Sequence, residues 1–122
     1  MAIQTAQGKE NLAVAYGNAA TFGAIYTTAP GATAGTEPAG GTPAYARKPL
    51  TWAPGTVDGI VTATATFDVP AGATIAGYGV HTALTGGTYL DGSTFKDGSN
   101  NPVTQPFVSQ GTYAVTFNYT QS

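Results

Sequence analysis

The chain predicts a mainly β domain: a compact antiparallel β-sandwich or barrel of about seven strands with one short N-terminal helix. Three observations predict it. Period-two alternation of apolar and polar residues runs through Val57–Val69 and again through Thr112–Thr120. Gly- and Pro-rich turn signals divide the rest of the 122 residues into short segments. The composition is rich in strand formers, with 21 Thr, seven Tyr and five Phe. One domain, residues 1–122, fits this length, with no internal repeat and no boundary. A chain this long buries enough surface to fold without covalent staples.

The elements follow in order. Thr5 is placed to cap a helix over about residues 5–16, in which Leu12, Ala15, Tyr16 and Ala19 keep helical spacing. Gly17-Asn18 is placed to end it. Phe22–Thr28 reads as a strand. Ala29–Thr42, APGATAGTEPAGGT, holds no large apolar residue and reads as a long loop, either functional or disordered. Ala44–Ala53 reads as a second strand, in which Pro49 marks an edge or a break.

After the Pro54-Gly55 turn, Val57–Val69 puts Val61, Ala63, Ala65, Phe67 and Val69 on one face. Thr62, Thr64, Thr66 and Asp68 lie on the other. Thr74–Leu84 alternates Ala76, Tyr78, Val80 and Leu84 against Gly77, Gly79 and His81. Gly86-Gly87 reads as a hairpin turn into Thr88–Phe95. Asp97–Pro102 is a turn cluster, and a short strand is expected around Phe107. The last strand sets Tyr113, Val115, Phe117 and Tyr119 opposite Ala114, Thr116, Asn118 and Thr120.

Charge is scarce. Four Lys/Arg and six Asp/Glu make up 8% of the chain, with a net charge of −2, where about 25% is usual. Four cations cannot supply the phosphate neutralisation that dominates nucleic-acid affinity, so no nucleic-acid partner is expected. The aromatic content, 11%, argues against a disordered chain. With no Cys there are no disulfides, catalytic thiolates or Cys-based zinc sites, and a single His removes multi-His metal sites. No cofactor or metal is expected. The residues after Met1 carry no secretory pattern, and no apolar run is long enough for a membrane helix, so no membrane partner is expected.

No catalytic constellation is legible. His81 is the only imidazole, and no motif brings Ser93, Ser99 or Ser109 to it. It reads as a structural or surface residue, with interface contact as the next reading. Asp97 begins no EF-hand, because the sixth and twelfth positions hold Pro102 and Val108 instead of Gly and Glu. Asp-Gly and Asn-Pro read as turn chemistry. The chain is therefore expected not to be an enzyme.

Arg47-Lys48 is the one local cationic spot. It is read either as a solvated strand edge or as an anchor to an acidic partner surface. The candidate partner-contact residues are Arg47, Lys48, Tyr45, Glu37 and Pro38, together with the Thr5 helix and the 29–42 loop. A small monomer normally keeps a charged surface and guarded strand edges. Outward faces of Thr, Ala, Gly, Ser and Asn suit a module that works covered by neighbours. Threonine-lined strands are stiff and neutral, and they dock without desolvating ions. Secreted adhesion and carbohydrate-binding modules share this composition. Tyr45 and Tyr89 are the exposed aromatics expected to serve a glycan.

Three stretches carry a resemblance. They are YTTAPGATAGTEPAGGTPAYARKPLTWAPG (Tyr26–Gly55), FDVPAGATIAGYGVHTALTGGTYLDG (Phe67–Gly92) and QGTYAVTFNY (Gln110–Tyr119). Together they resemble small virion proteins of tailed phages infecting actinobacteria, a group labelled head decoration, minor tail or tail-fibre-like proteins. The resemblance covers most of the chain and includes a helix before the first strand. It brings no catalytic residues. It implies a non-enzymatic structural protein, foremost a capsid decoration protein docked on the outer surface of the major capsid protein lattice. The alternatives are a minor tail protein that meets the host surface and, outside that setting, a glycan-binding or adhesion module. A homo-oligomer is expected, with a symmetric trimer as one form. The expected location is the virion, after synthesis in the host cytoplasm.

Overall fold

The computed structural model describes residues 5–54 and 59–120. Thr5 starts the helix α1 (Ala6–Ala19), its extended backbone turning into the helix while its Oγ1 accepts a hydrogen bond from the Gly8 N–H at 3.1 Å. The helix runs three residues past the expected stop at Tyr16. Gly17 stays helical because its bare Cα is the seat of Trp52: a Cβ there would lie 2.9 Å from the indole Cγ. The buried face consequently differs from the expected one. Ala13 and Gly17 are buried and Tyr16 half-buried, whereas Leu12 is 42% exposed and Ala15 and Ala19 face solvent.

Among the described residues nine strands follow: β1 (Phe22–Tyr26), β2 (Lys48–Pro49), β3 (Ala53–Pro54), β4 (Ile60–Val69), β5 (Thr74–Ile75), β6 (Gly77–His81), β7 (Tyr89–Thr94), β8 (Gln105–Pro106) and β9 (Gly111–Thr120). They form three antiparallel sheets: β2-β1-β6-β7, β3-β4-β9 and a two-stranded ribbon, β5-β8. The fold is mainly β and sandwich-like. The barrel alternative is excluded, because the described strands end in separate sheets with open edges and do not close on themselves.

Two expected strands each divide in two. Ala44–Ala53 yields β2 on the first sheet and β3 on the second. Between them the Leu50 N–H donates to Thr21 O and the Trp52 indole N–H to Ala20 O as the chain crosses over. Pro49, which has no N–H to give, lies on the edge strand as expected. Thr74–Leu84 divides at Ala76, whose N–H donates to Tyr26 O and whose carbonyl accepts from Phe95 N–H. Leu84 does not join the inner face. It lies beyond β6 in the hairpin loop, half exposed. Gly86 and Gly87 make that turn with φ of +64° and +69°, a region open to glycine. Gly55 of the expected Pro54-Gly55 turn and Val57 and Asp58 of the expected third strand lie outside the described residues.

The core sits between the two larger sheets. In the β4–β9 register Phe67 faces Tyr113, Ala65 faces Val115 and Ala63 faces Phe117. The alternation read from sequence holds, since Val61, Ala63, Ala65, Phe67 and Val69 are all buried. From the opposite sheet come Ile25, Tyr78 and Val80, with Leu50 beside them. Phe117 is the keystone: its ring meets Phe67 at 6.3 Å and Tyr78 at 5.3 Å, edge to face. Gly23 leaves room for it, because a Cβ there would come within 2.8 Å of the Phe117 ring. The helix closes one end, Tyr16 stacking on Tyr119 with ring centroids 4.1 Å apart.

The outer face of the four-stranded sheet explains the 27–42 segment. Gly77, Gly79 and Gly92 line that face without side chains, and Tyr26, Pro30 and Tyr89 fill the space. The loop is strapped down. Thr27 N–H donates to Thr36 O, Thr36 N–H to Thr28 Oγ1, and Tyr89 Oη to Gly31 O. It is thus a packed cover over the sheet. Farther on, Gln110 holds the Thr42-Pro43 turn, its Oε1 accepting from Thr42 N–H and its Nε2 donating to Pro43 O.

Candidate functional site

Four of the five contact residues read from sequence come together. Glu37, Pro38, Tyr45 and Arg47 line an open depression of about 450 Å³ beside Leu84 and Gly86. The loop brings Glu37 there, and the crossing segment ahead of β2 brings Tyr45 and Arg47. Their chemistry is mostly directed inward. Arg47 Nε and Nη2 donate to the Glu37 carboxylate at 2.9–3.3 Å, and Nη1 donates to Ala83 O and Gly86 O, both at 2.9 Å. Tyr45 Oη donates to Glu37 Oε1 at 2.7 Å and accepts from Ile25 N–H.

Burial pushes the Glu37 carboxyl up, but the Arg47 and Tyr45 hydrogen bonds outweigh it and hold the group below the usual range. The Tyr45 phenol is pushed up, by burial first and then by Glu37. Arg47 is a clamp that ties loop, strand and hairpin together, its side chain 11% exposed. Pro38 is buried and lines the same depression. Lys48 points elsewhere and pairs with Asp68 at 3.3 Å. Tyr45 and Tyr89 are half-buried with their hydroxyls engaged. They are not the exposed aromatic platforms expected for a glycan.

His81 is 4% exposed, its Nε2 sharing a 2.6 Å hydrogen bond with Tyr26 Oη. Burial, and secondarily Arg47, lowers its pKa. Burial pushes the Tyr26 phenol up, so at neutral pH the pair is uncharged. Asp97 holds its own turn: Oδ1 accepts from Ser99 N–H at 2.8 Å and Asn101 N–H at 3.0 Å, and these backbone bonds lower its pKa. Among the described residues no group of three or more His, Asp or Glu side chains could hold a metal ion. No described helix is long and apolar enough to cross a membrane.

Two features lie outside the named contact candidates: the first belongs to the threonine-lined faces expected to dock, and the second was not read from sequence. The first is a broad neutral face. On the solvent side of the three-stranded sheet, Thr62, Thr64 and Thr66 of β4 lie opposite Asn118, Thr116 and Ala114 of β9. Most of these side chains are exposed. The only charge along β4, Asp68, is paired with Lys48. β9 is an edge strand of ten residues with neither a charge nor a proline. The alternation itself was the signal for this face.

The second is a crevice of about 180 Å³ between β9 and the β6–β7 pair. The rings of Tyr16, Trp52, Tyr78, Phe117 and Tyr119 line it, with Asp91, Ser93, Asn118 and Thr120 supplying polar groups. The Tyr16 phenol is pushed up to about 12, first by burial and then by Asp91. It stays neutral at any physiological pH. These aromatics come from four separate parts of the chain, so no local motif marks them. Compared with family models, curated proteins and solved structures, the chain matches none.

Proposed function

We propose that this chain is a non-enzymatic structural protein of a tailed-phage virion, a decoration protein docked on the outer surface of the major capsid protein lattice. The observation that carries the reading is the exposed, uncharged Thr62–Thr66/Ala114–Asn118 face bordered by an unguarded edge strand. Such a face meets another flat surface without desolvating ions and without ordering long flexible side chains. Isolated in water it is the kind of edge that proteins normally protect. Large apolar side chains are also exposed: Leu12 and Val14 on α1, Leu84, Val103, and Val108, which is 91% exposed.

Each contact can be modest, because many copies on one lattice sum their effect on particle stability. A homo-oligomer, with a trimer as one form, fits a symmetric lattice. The location that follows is the outer capsid, after synthesis in the host cytoplasm.

Quantifying the chain in purified particles tests the reading. Decoration predicts copies in number comparable to the major capsid protein, recovered with tailless capsids. A few copies per particle, recovered with tails, would assign it to a minor tail protein instead. Saturable binding to cell-wall glycans with no particle association would make it an adhesion module.

A further inference from the structure

The acids of this chain are mostly committed. Glu37 is paired with Arg47, and Asp68 with Lys48. Asp97 accepts two backbone N–H groups, and Glu10 Oε2 accepts from Gly59 N–H. Among the described residues Glu10 Oε1 is buried without a hydrogen-bond partner, and Asp91 is the acid that borders the aromatic crevice. It is exposed, its Oδ1 accepts only from the adjacent Gly92 N–H, and no cationic side chain lines the crevice it borders. A carboxylate beside desolvated aromatic rings, with no cation to balance it, is a field complementary to an organic cation.

Size narrows the ligand. A crevice of about 180 Å³ lies below the range of about 300–1,000 Å³ typical of sites for whole cofactors or drug-sized ligands. It has room for one side chain. Position narrows it further, since Asn118 and Thr120 belong both to the crevice wall and to the neutral face of β9. A protein lying on that face can therefore reach the crevice with one side chain.

We propose that the crevice receives the alkylammonium group of a lysine side chain from the partner protein, held between the Tyr16, Trp52 and Tyr78 rings and the Asp91 carboxylate. This identifies the partner's chemistry and rests on the docking reading above. An ammonium is attracted to the ring faces, and its stem is covered by the same rings. Asp91 supplies the charge-assisted hydrogen bond. The neutral face brings the surfaces together, and the lysine fixes their register.

Trp52 is the only tryptophan in the chain and lines the crevice, so its fluorescence reports occupancy. The purified chain is titrated with N-acetyl-lysine amide, its norleucine counterpart, tetramethylammonium chloride and N-acetylglucosamine, against a sodium chloride control. Saturable changes with the lysine amide and tetramethylammonium, absent with norleucine, are expected. Asp91→Asn keeps an acceptor for the Gly92 N–H and should leave the melting temperature unchanged while weakening both by about tenfold. Equal responses to norleucine, an unaffected Asp91→Asn variant, or saturation by the sugar alone would each overturn the assignment. Capsid co-sedimentation separates the two claims. Capsid binding with no response to lysine amide leaves decoration standing and removes the lysine site. A lysine response with no capsid binding keeps the site and removes the capsid as its source.

Discussion

Tyr26, His81, Glu37 and Arg47 are the polar groups that the interior depends on, and they make stability depend on pH. The His81 pKa is lowered in the fold by burial. The unfolded chain therefore binds more protons as pH falls below the ordinary value of about 6.5, and stability drops through that window. Glu37 acts in the same direction at lower pH. Its carboxyl is held below its ordinary value by Arg47 and Tyr45 against the effect of burial, so its contribution is present above about 4.5 and lost as pH falls through the folded value. Urea midpoints between pH 8 and 5.5 should fall in the native chain, and His81→Gln should flatten that slope. A slope unchanged by the substitution would mean that His81 is not its source. Glu37→Gln should cost about 1.5–3 kcal/mol, the scale of a charged hydrogen bond lost in a half-buried site; a cost below about 0.5 kcal/mol, the surface range, would mean the clamp is idle.

Packing gives two further tests of single side chains. Phe117→Ala removes the ring that joins the two sheets and should destabilise by about 3–5 kcal/mol in chemical denaturation. Gly79→Ala pushes a Cβ to within 2.6 Å of Tyr26 Oη and 2.8 Å of the Asp91 carbonyl. Backbone cannot yield there as a side chain does, so a loss of about 1–3 kcal/mol is expected. A neutral outcome would show that Tyr26 is not packed against the bare backbone of Gly79.

Among the elements, β4 and β9 were legible because each buries one face only, so period two survives in the sequence. The helix start was legible because Thr5 caps it with a local hydrogen bond. Its buried face was not, since small residues, Ala13 and Gly17, do the packing and the larger Leu12 stays outside. The segment from Ala44 to Ala53 passes between sheets, and nothing local distinguishes a crossing chain from a continuous strand. The loop's order was hidden for a related reason. What seats it are glycines far along the chain, Gly77 and Gly92, whose missing side chains leave room for Pro30. The candidate contact residues Glu37, Tyr45 and Arg47 lie together, but their mutual hydrogen bonds depend on the loop folding back and were not legible in the sequence. Thr5→Ala should cost about 1 kcal/mol and raise amide exchange in the first turn of α1; unchanged exchange would show that the cap is not needed.

The molecule as a whole joins a well-packed interior to a surface poor in charge. Its polar specificity is spent on holding loops and hairpins, and the exposed face of β4 and β9 is left neutral. That division suits a part that is finished by its neighbours. Introducing charge into the face without touching the core separates docking from folding. Thr64→Glu together with Thr116→Glu places two like charges on cross-strand neighbours at exposed positions. The measurement is the number of chains bound per purified capsid, by quantitative co-sedimentation, for the native chain and the double variant. The native chain should approach one copy per capsid subunit and the variant about a tenth of that or less, with its fold intact by circular dichroism; a native chain that does not sediment with capsids, or a variant that binds equally well, would contradict the account.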